Sequence, residues 1–188
     1  MPRAGLTPAA IVDAALRVVD AGGPAALTLA AVAAECGVAT PSLYKHVAGL
    51  PELRGLLTVR IYEELTTAVI DAVIGRSGDD ALEAVMLAYH GYAIGHPHRY
   101  SLAPQRPDVT DPAAAAAASR ILDVLFAVFK AYDLTDEQIV HATRVLRAAM
   151  HGFAVLHGAF QMVEDVRTTQ RILIETMKSI RVAAKIAS

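Results

Sequence analysis

Residues 28–47, TLAAVAAECGVATPSLYKHV, constrain the fold more than any other stretch. Two short runs with helical spacing flank a turn at Cys36-Gly37-Val38, where Gly37 is free to take positive φ. Thr28 is placed to cap the first run, 29–35, whose inward face is Leu29, Val32 and Ala33. The second run starts near Thr40-Pro41 and reaches about His46. Small alanines at 31, 33 and 34 allow the two runs to cross closely, and Val38, Leu43 and Val47 can share one core with Val32. That pattern predicts a helix-turn-helix. It directs Thr40, Ser42, Lys45 and His46 largely outward, on a helix of the size that the DNA major groove admits.

The rest of the chain follows the same logic. Residues 8–21 place Ile11, Ala15, Val18 and Val19 on one face, with Thr7 as cap and Pro8 in the first turn. Gly22-Gly23-Pro24 ends that helix. A long amphipathic run begins at Leu50-Pro51 and breaks at Gly75–Asp80. A fifth helix spans about 80–95 and ends at Gly95-His96-Pro97, where the His96 side chain can meet free carbonyls. Residues 100–112 read as loop, an alanine run leads into a helix over 119–132, Thr135 starts another to about 160, and the last covers roughly 165–185. No strand-forming run is bounded and alternating, and alanine, abundant throughout, favours helix. The expected fold is all-α: an N-terminal three-helix helix-turn-helix domain over 1–48, followed by a helical ligand-binding and dimerisation domain over 49–188.

Charge neither supports nor forbids DNA. The 188 residues carry 17 Lys+Arg against 19 Asp+Glu, a net charge of −2. Arg3, Arg17, Lys45, Arg54 and Arg60 balance Asp13, Asp20, Glu35 and Glu52 at the N-terminal end. A few well-placed contacts per protomer must then carry the affinity. The single cysteine, Cys36, forms no intrachain disulfide, and no signal-type start or 18-residue membrane span stands out, so a cytoplasmic location without a membrane partner is expected.

On the DNA-facing edge, Thr40 and Ser42 suit base edges or phosphate oxygens, and Pro41 offers an apolar surface for a thymine methyl. Lys45 reaches a guanine edge or a phosphate, while Tyr44 and His46 suit phosphates, as does Thr28 at its helix start. The bland counterpart is an ordinary helical hairpin with Tyr44 half-buried in its core.

The segment GVATPSLYKHVAGLPELRGLL (37–57), with AAIVDAALRVVDAGGPAALTLAAVAAEC before it, resembles the TetR family of bacterial regulators over roughly residues 8–57. The resemblance implies phosphate contacts from Tyr44 and His46 and a DNA contact from Lys45. The lysine usual at the start of the family's fourth helix falls at Leu50, so one backbone clamp is missing, and Arg54 or Lys45 is left to compensate. HGYAIGHPHRYSLA (90–103) and LRAAMHGFAVLHGAF (146–160) resemble the C-terminal subtype named for a tryptophan-histidine-glycine (WHG) motif, here Met150-His151-Gly152. This implies a helical regulatory domain and a homodimer, with the ligand left open.

Residue by residue, Leu146, Ala149, Phe153, Leu156 and Phe160 form one apolar stripe, and Val166, Leu173, Met177, Ile180 and Ala184 another. Two such helices per subunit suit a four-helix bundle across a two-fold axis, which would present paired recognition helices to a palindromic duplex. Of these, Leu146, Phe153, Leu156, Phe160, Leu173, Met177 and Ile180 are the expected interface. Met86, Tyr89, Tyr92, Phe126, Phe129, His151 and Val155 are the expected lining of a pocket for a small apolar effector.

Seven histidines raise the question of a metal, but none of the helix pairs is spaced i,i+4 and no HExxH or paired cysteines occur; Asp108 and Asp111, in the loop, are acidic candidates near the His90, His96 and His98 cluster. No glycine-rich phosphate cradle or nucleophile elbow is present, and Asp79-Asp80 and Asp136-Glu137 sit at helix starts, where they favour the dipole. Neither a metal, a cofactor nor an enzyme is expected. The expected function is a ligand-responsive, sequence-specific transcriptional repressor, released from a palindromic operator by its effector. The alternative is a helical small-molecule-binding dimer with weak or lost DNA binding, which Leu50 favours.

Overall fold

The computed structural model describes residues 6–103, 111–160, 166–180 and 182–183. Helices are the regular elements among them: α1 (Pro8–Gly22), α2 (Leu29–Glu35), α3 (Leu50–Val73), α4 (Gly78–Gly95), α5 (Pro97–Leu102), α6 (Pro112–Phe129), α7 (Asp136–Phe160) and α8 (Val166–Lys178), with 3-10 turns at Pro24–Ala26, Thr40–Lys45 and Lys130–Tyr132. The chain forms two compact units. One comprises residues 1–64 and 96–118, the other 65–95 and 119–188. These do not follow the expected division at 48/49. The reason is tertiary packing: α5 packs on α1 and on the Pro24–Ala26 turn, and Arg60 of α3 pairs with Asp13 of α1.

The first unit is built from well-capped short helices. Thr7 Oγ1 accepts from the Ala10 N–H at 3.1 Å, Pro8 occupies the first turn, and Gly23, at φ 75°, closes α1 by donating its N–H to the Val19 carbonyl at 2.8 Å. Ile11, Ala15 and Val19 of α1 are fully buried with Val32, Leu43, Leu53 and Ile61. Charged groups tie the same elements together. The Arg99 guanidinium of α5 holds Asp20 of α1 at 2.5 Å and Glu64 of α3 at 2.9 Å, and Arg60 joins Asp13 and Glu64, each at 3.0 Å. The paired Asp20 carboxylate is held below its ordinary range by the hydrogen bond from Arg99.

The segment expected as loop over 100–112 begins as helix, because Pro97 after Gly95-His96 is preorganised for a first helical turn. His96 stands at the start of α5, where it makes no side-chain cap hydrogen bond. The alanine run joins α6 as one helix from Pro112. By length and composition residues 112–132 would suffice to cross a membrane, a feature the sequence reading missed. Ile121, Leu125, Val128 and Phe129 are nevertheless buried, as expected of a core helix.

In the second unit α4 packs on α7 and α8, and α7 on α8. Thr135 and Gln138 form a reciprocal cap at the start of α7: the Gln138 N–H donates to Thr135 Oγ1 at 3.3 Å and the Thr135 N–H to Gln138 Oε1 at 2.9 Å. Tyr132 Oη donates to Asp79 at 2.7 Å, which sets the start of α7 near the start of α4.

Candidate nucleic-acid interface

The expected reading edge is a 3-10 turn, not an α-helix. Thr40–Lys45 is 3-10, closed by Ser42 N–H to the Ala39 carbonyl and His46 N–H to the Leu43 carbonyl, both at 2.8 Å. So short a segment leaves few i→i+4 partners, and i→i+3 bonds tighten it. Leu43 and Val47 point inward at 0% and 2% exposure and fix its orientation. Tyr44 is 57% exposed, which removes the reading of its ring as half-buried core. Pro41 and Lys45 are also exposed, and Thr40, Ser42 and His46 are half-buried at the edge.

Thr28 is exposed, and its Oγ1 accepts from the Ala31 N–H at 3.1 Å. That bond uses an oxygen lone pair, so the hydroxyl hydrogen is still available to donate to a phosphate. Arg17 and Glu35, paired at 2.6 Å, brace α1 against α2 on the solvent side. Leu50 opens α3, half-buried, with no group to bond a phosphate; there Glu52 accepts the Ala48 N–H, capping the helix start, and Arg54 is exposed one turn on.

In the second unit Met86, Tyr89, Tyr92 and Phe129 are buried, Phe126 and His151 half-buried, and Val155 is 44% exposed. Burial, with Arg147 nearby, lowers the His151 imidazole below its ordinary value. A cavity of about 420 Å³ lies elsewhere in the unit, among Ile70, Val73, Val124 and Val128, with Arg76 and Asp123 as polar groups. None of the seven expected pocket residues lines it.

The expected interface residues also divide. Leu146, Met177 and Ile180, at 0%, 9% and 7% exposure, are enclosed by their own unit and form its core, not a surface for a second copy. Phe153 and Leu173 are half-buried, Leu156 is 48% exposed, and the side chains of Phe160 and Val166, like Ala184, lie outside the described residues. Among the described residues of this unit, the exposed large apolar side chains are instead Val145, Val155 and Leu156 on α7, Ile172 on α8, Leu87 and Ile94 on α4, Ile74 and Val182. Asp108 lies outside the described residues, and among those described no three His, Cys, Asp or Glu side chains gather as metal ligands.

Sequence reasoning missed one polar group. His90 is 6% exposed on α4; its Nδ1 lies 2.9 Å from Gln170 Nε2 of α8, and its ring is 4.6 Å from that of Phe153 and 5.2 Å from that of His157 on α7. Burial, then the neighbouring His157, pushes the His90 imidazole down to about 4. The linear pattern groups His90 with His96 and His98; only helix packing pairs it with His157.

Residues 11–46 match the family described as bacterial regulatory proteins, tetR family, and residues 82–177 match the tetracyclin repressor-like C-terminal domain. The chain is 34% identical over 185 residues to the uncharacterized HTH-type transcriptional regulator YobS of Bacillus subtilis, covering 95% of this chain and 94% of that one. It belongs to the TetR family. TetR-family folds recur at low identity among solved structures. A protein of unknown function from Rhodococcus sp. RHA1 superposes with a TM-score of 0.81 at 20% identity, covering 93% of this chain and 94% of that one. A TetR variant from Acinetobacter baumannii AYE in complex with minocycline gives 0.70 at 17%, covering 97% and 98%. The chain is thus a helix-turn-helix transcriptional regulator, not an enzyme.

Proposed function

We propose that this TetR-family regulator is a cytoplasmic repressor that holds a palindromic operator as a homodimer and leaves it when a small molecule occupies its helical unit. The observation that carries the DNA half is the turn over 40–45: Tyr44 and Lys45 project from it while Leu43 and Val47 anchor it beneath. Thr28, Thr40, Pro41, Ser42 and His46 complete the contact set, with Tyr44, Lys45, His46 and Thr28 positioning the protein on phosphates and Thr40 and Ser42 nearest the bases. Reading is the task of residues 1–48, and pairing and sensing that of 49–188.

The exposed apolar positions on α7 and α8 support the homodimer, with Leu156 retained from the expected interface and Val145 and Ile172 added to it. The Met150-His151-Gly152 triplet favours the WHG subtype for the C-terminal domain. Ligand regulates DNA affinity only through a difference in its affinity for two states of the dimer. Residues of α3 contribute to both compact units, which makes that helix the connection such a shift would use.

Selection of the purified protein on random duplexes at moderate salt tests the reading. Enrichment of a palindrome with half-sites one helical turn apart is expected. A folded dimer that enriches no duplex even at low salt refutes it and favours the second reading, a helical binding dimer that has lost DNA binding, to which Leu50 points.

A further inference from the structure

We propose that His90, His157 and Gln170 form the recognition point for an uncharged, mostly apolar ligand carrying a single hydroxyl group. The proposal rests on the reading of the helical unit as an effector-binding unit. Three helices each contribute one polar group: His90 from α4, His157 from α7 and Gln170 from α8. Gln170 occupies His90 Nδ1, at 2.9 Å. Among the described residues, His90 Nε2 and His157 Nδ1 are both buried with no hydrogen-bond partner, on rings whose centroids are 5.2 Å apart. A buried polar atom left unpaired costs stability, and two at one place mark a position where a partner is gained.

The helix directions add an apolar layer. Gln170 lies at His90 and Lys178 at Glu83, so α8 runs antiparallel to α4. Tyr132, just before α7, bonds Asp79 at the start of α4, and His157 late in α7 meets His90 late in α4, so α7 runs parallel to α4. Met86 and Ile174 each stand one turn from the polar group of their own helix, and on antiparallel α4 and α8 both turns lie on the same side of the His90–Gln170 contact. Met86 and Ile174 are both 4% exposed, and the Phe153 ring is 4.6 Å from that of His90. The site therefore pairs a polar point with an apolar neighbour, and the half-buried His157 gives it a side toward the surface.

The chemistry selects the ligand class. Burial keeps the His90 ring neutral well below neutral pH. His90, whose Nδ1 accepts from Gln170, presents its Nε2–H, and His157 Nδ1 can accept through its lone pair; together they complement a hydroxyl, which both accepts and donates. A carboxylate only accepts, so it would leave the His157 Nδ1 lone pair unmet, and a cation finds no carboxylate among these three residues.

The test uses the full chain labelled at histidine ¹³Cε1, with 4-ethylphenol, ethylbenzene, 4-ethylbenzoate and zinc as separate probes. 4-Ethylphenol is expected to shift the His90 and His157 resonances and to bind about three- to tenfold tighter than ethylbenzene, the worth of one net hydrogen bond. His157→Phe keeps the shape of a half-buried ring and removes its nitrogens, so the preference should fall to about onefold while ethylbenzene affinity holds. That variant decides the matter even if His90→Gln fails to fold. A preference that survives His157→Phe, equal binding of 4-ethylbenzoate, or a response of the pair to zinc alone overturns the proposal. Release of the selected duplex is scored separately. Shifted His90 and His157 resonances without release uphold the site and remove only its regulatory reading; release by a probe that leaves both resonances unmoved overturns the site and leaves the regulator standing.

Discussion

Acidification should destabilise this protein through one buried ring. The His90 imidazole is pushed from its ordinary value of 6.5 down to about 4, first by burial and then by His157. The unfolded chain takes up this proton as the pH falls through 6.5, while the folded chain resists until about 4. The neutral ring's contribution is therefore complete above pH 6.5 and is lost between 6.5 and 4. At ~1.4 kcal/mol per unit, the loss is about 3 kcal/mol once both states are protonated, and about 2 kcal/mol already at pH ~5. A domain with a stability of about 5–15 kcal/mol shows such a change clearly. Urea melts of the wild type and His90→Gln, at one fixed protein concentration, measure it at neutral pH and near pH ~5. Gln cannot titrate, yet its amide can still meet Gln170, so the variant should lose about 2 kcal/mol less than the wild type over that interval. Contributions from groups remote from His90 cancel in the comparison. Parallel pH profiles would refute the reasoning: the ring would then be as well hydrated in the folded state as in the unfolded one.

Lys45→Gln should weaken DNA binding nearly uniformly across half-site sequences and flatten the salt dependence by about two in log–log slope, because a dimer loses two phosphate contacts of ~0.9 each; anisotropy titrations at several salt concentrations check this, and an unchanged slope removes Lys45 from the phosphates. Leu156→Glu should yield folded monomers by sedimentation, since it places a charge on the exposed face of α7. Leu146→Ala, in contrast, should cost about 2–5 kcal/mol of stability by opening a cavity in the core; a dimer that survives Leu156→Glu refutes the proposed surface.

Much of this architecture depends on forces that act within a few residues, and so could be read directly. Thr7, Thr28 and Thr135 cap their helices through bonds reaching three residues along the chain, and Gly23 and Gly37 take the positive φ that their positions require. The apolar spacing of Ile11, Val32, Leu43 and Val47 predetermined which side of each short element faces inward, and with it the outward aim of Lys45. What the sequence could not decide is which of two apolar faces on one helix is core. On α7, Val145 and Leu146 are neighbours about 100° apart around the axis, yet one is 51% exposed and the other fully buried, because α4 and α8 cover only one side. The same packing determined that His90 meets His157 and Gln170 instead of the histidines beside it in sequence, and that α5 joins α1 through Arg99. Local periodicity and capping determine the elements; which residues from distant elements meet depends on how the helices cross, and that is a property of the packed chain alone.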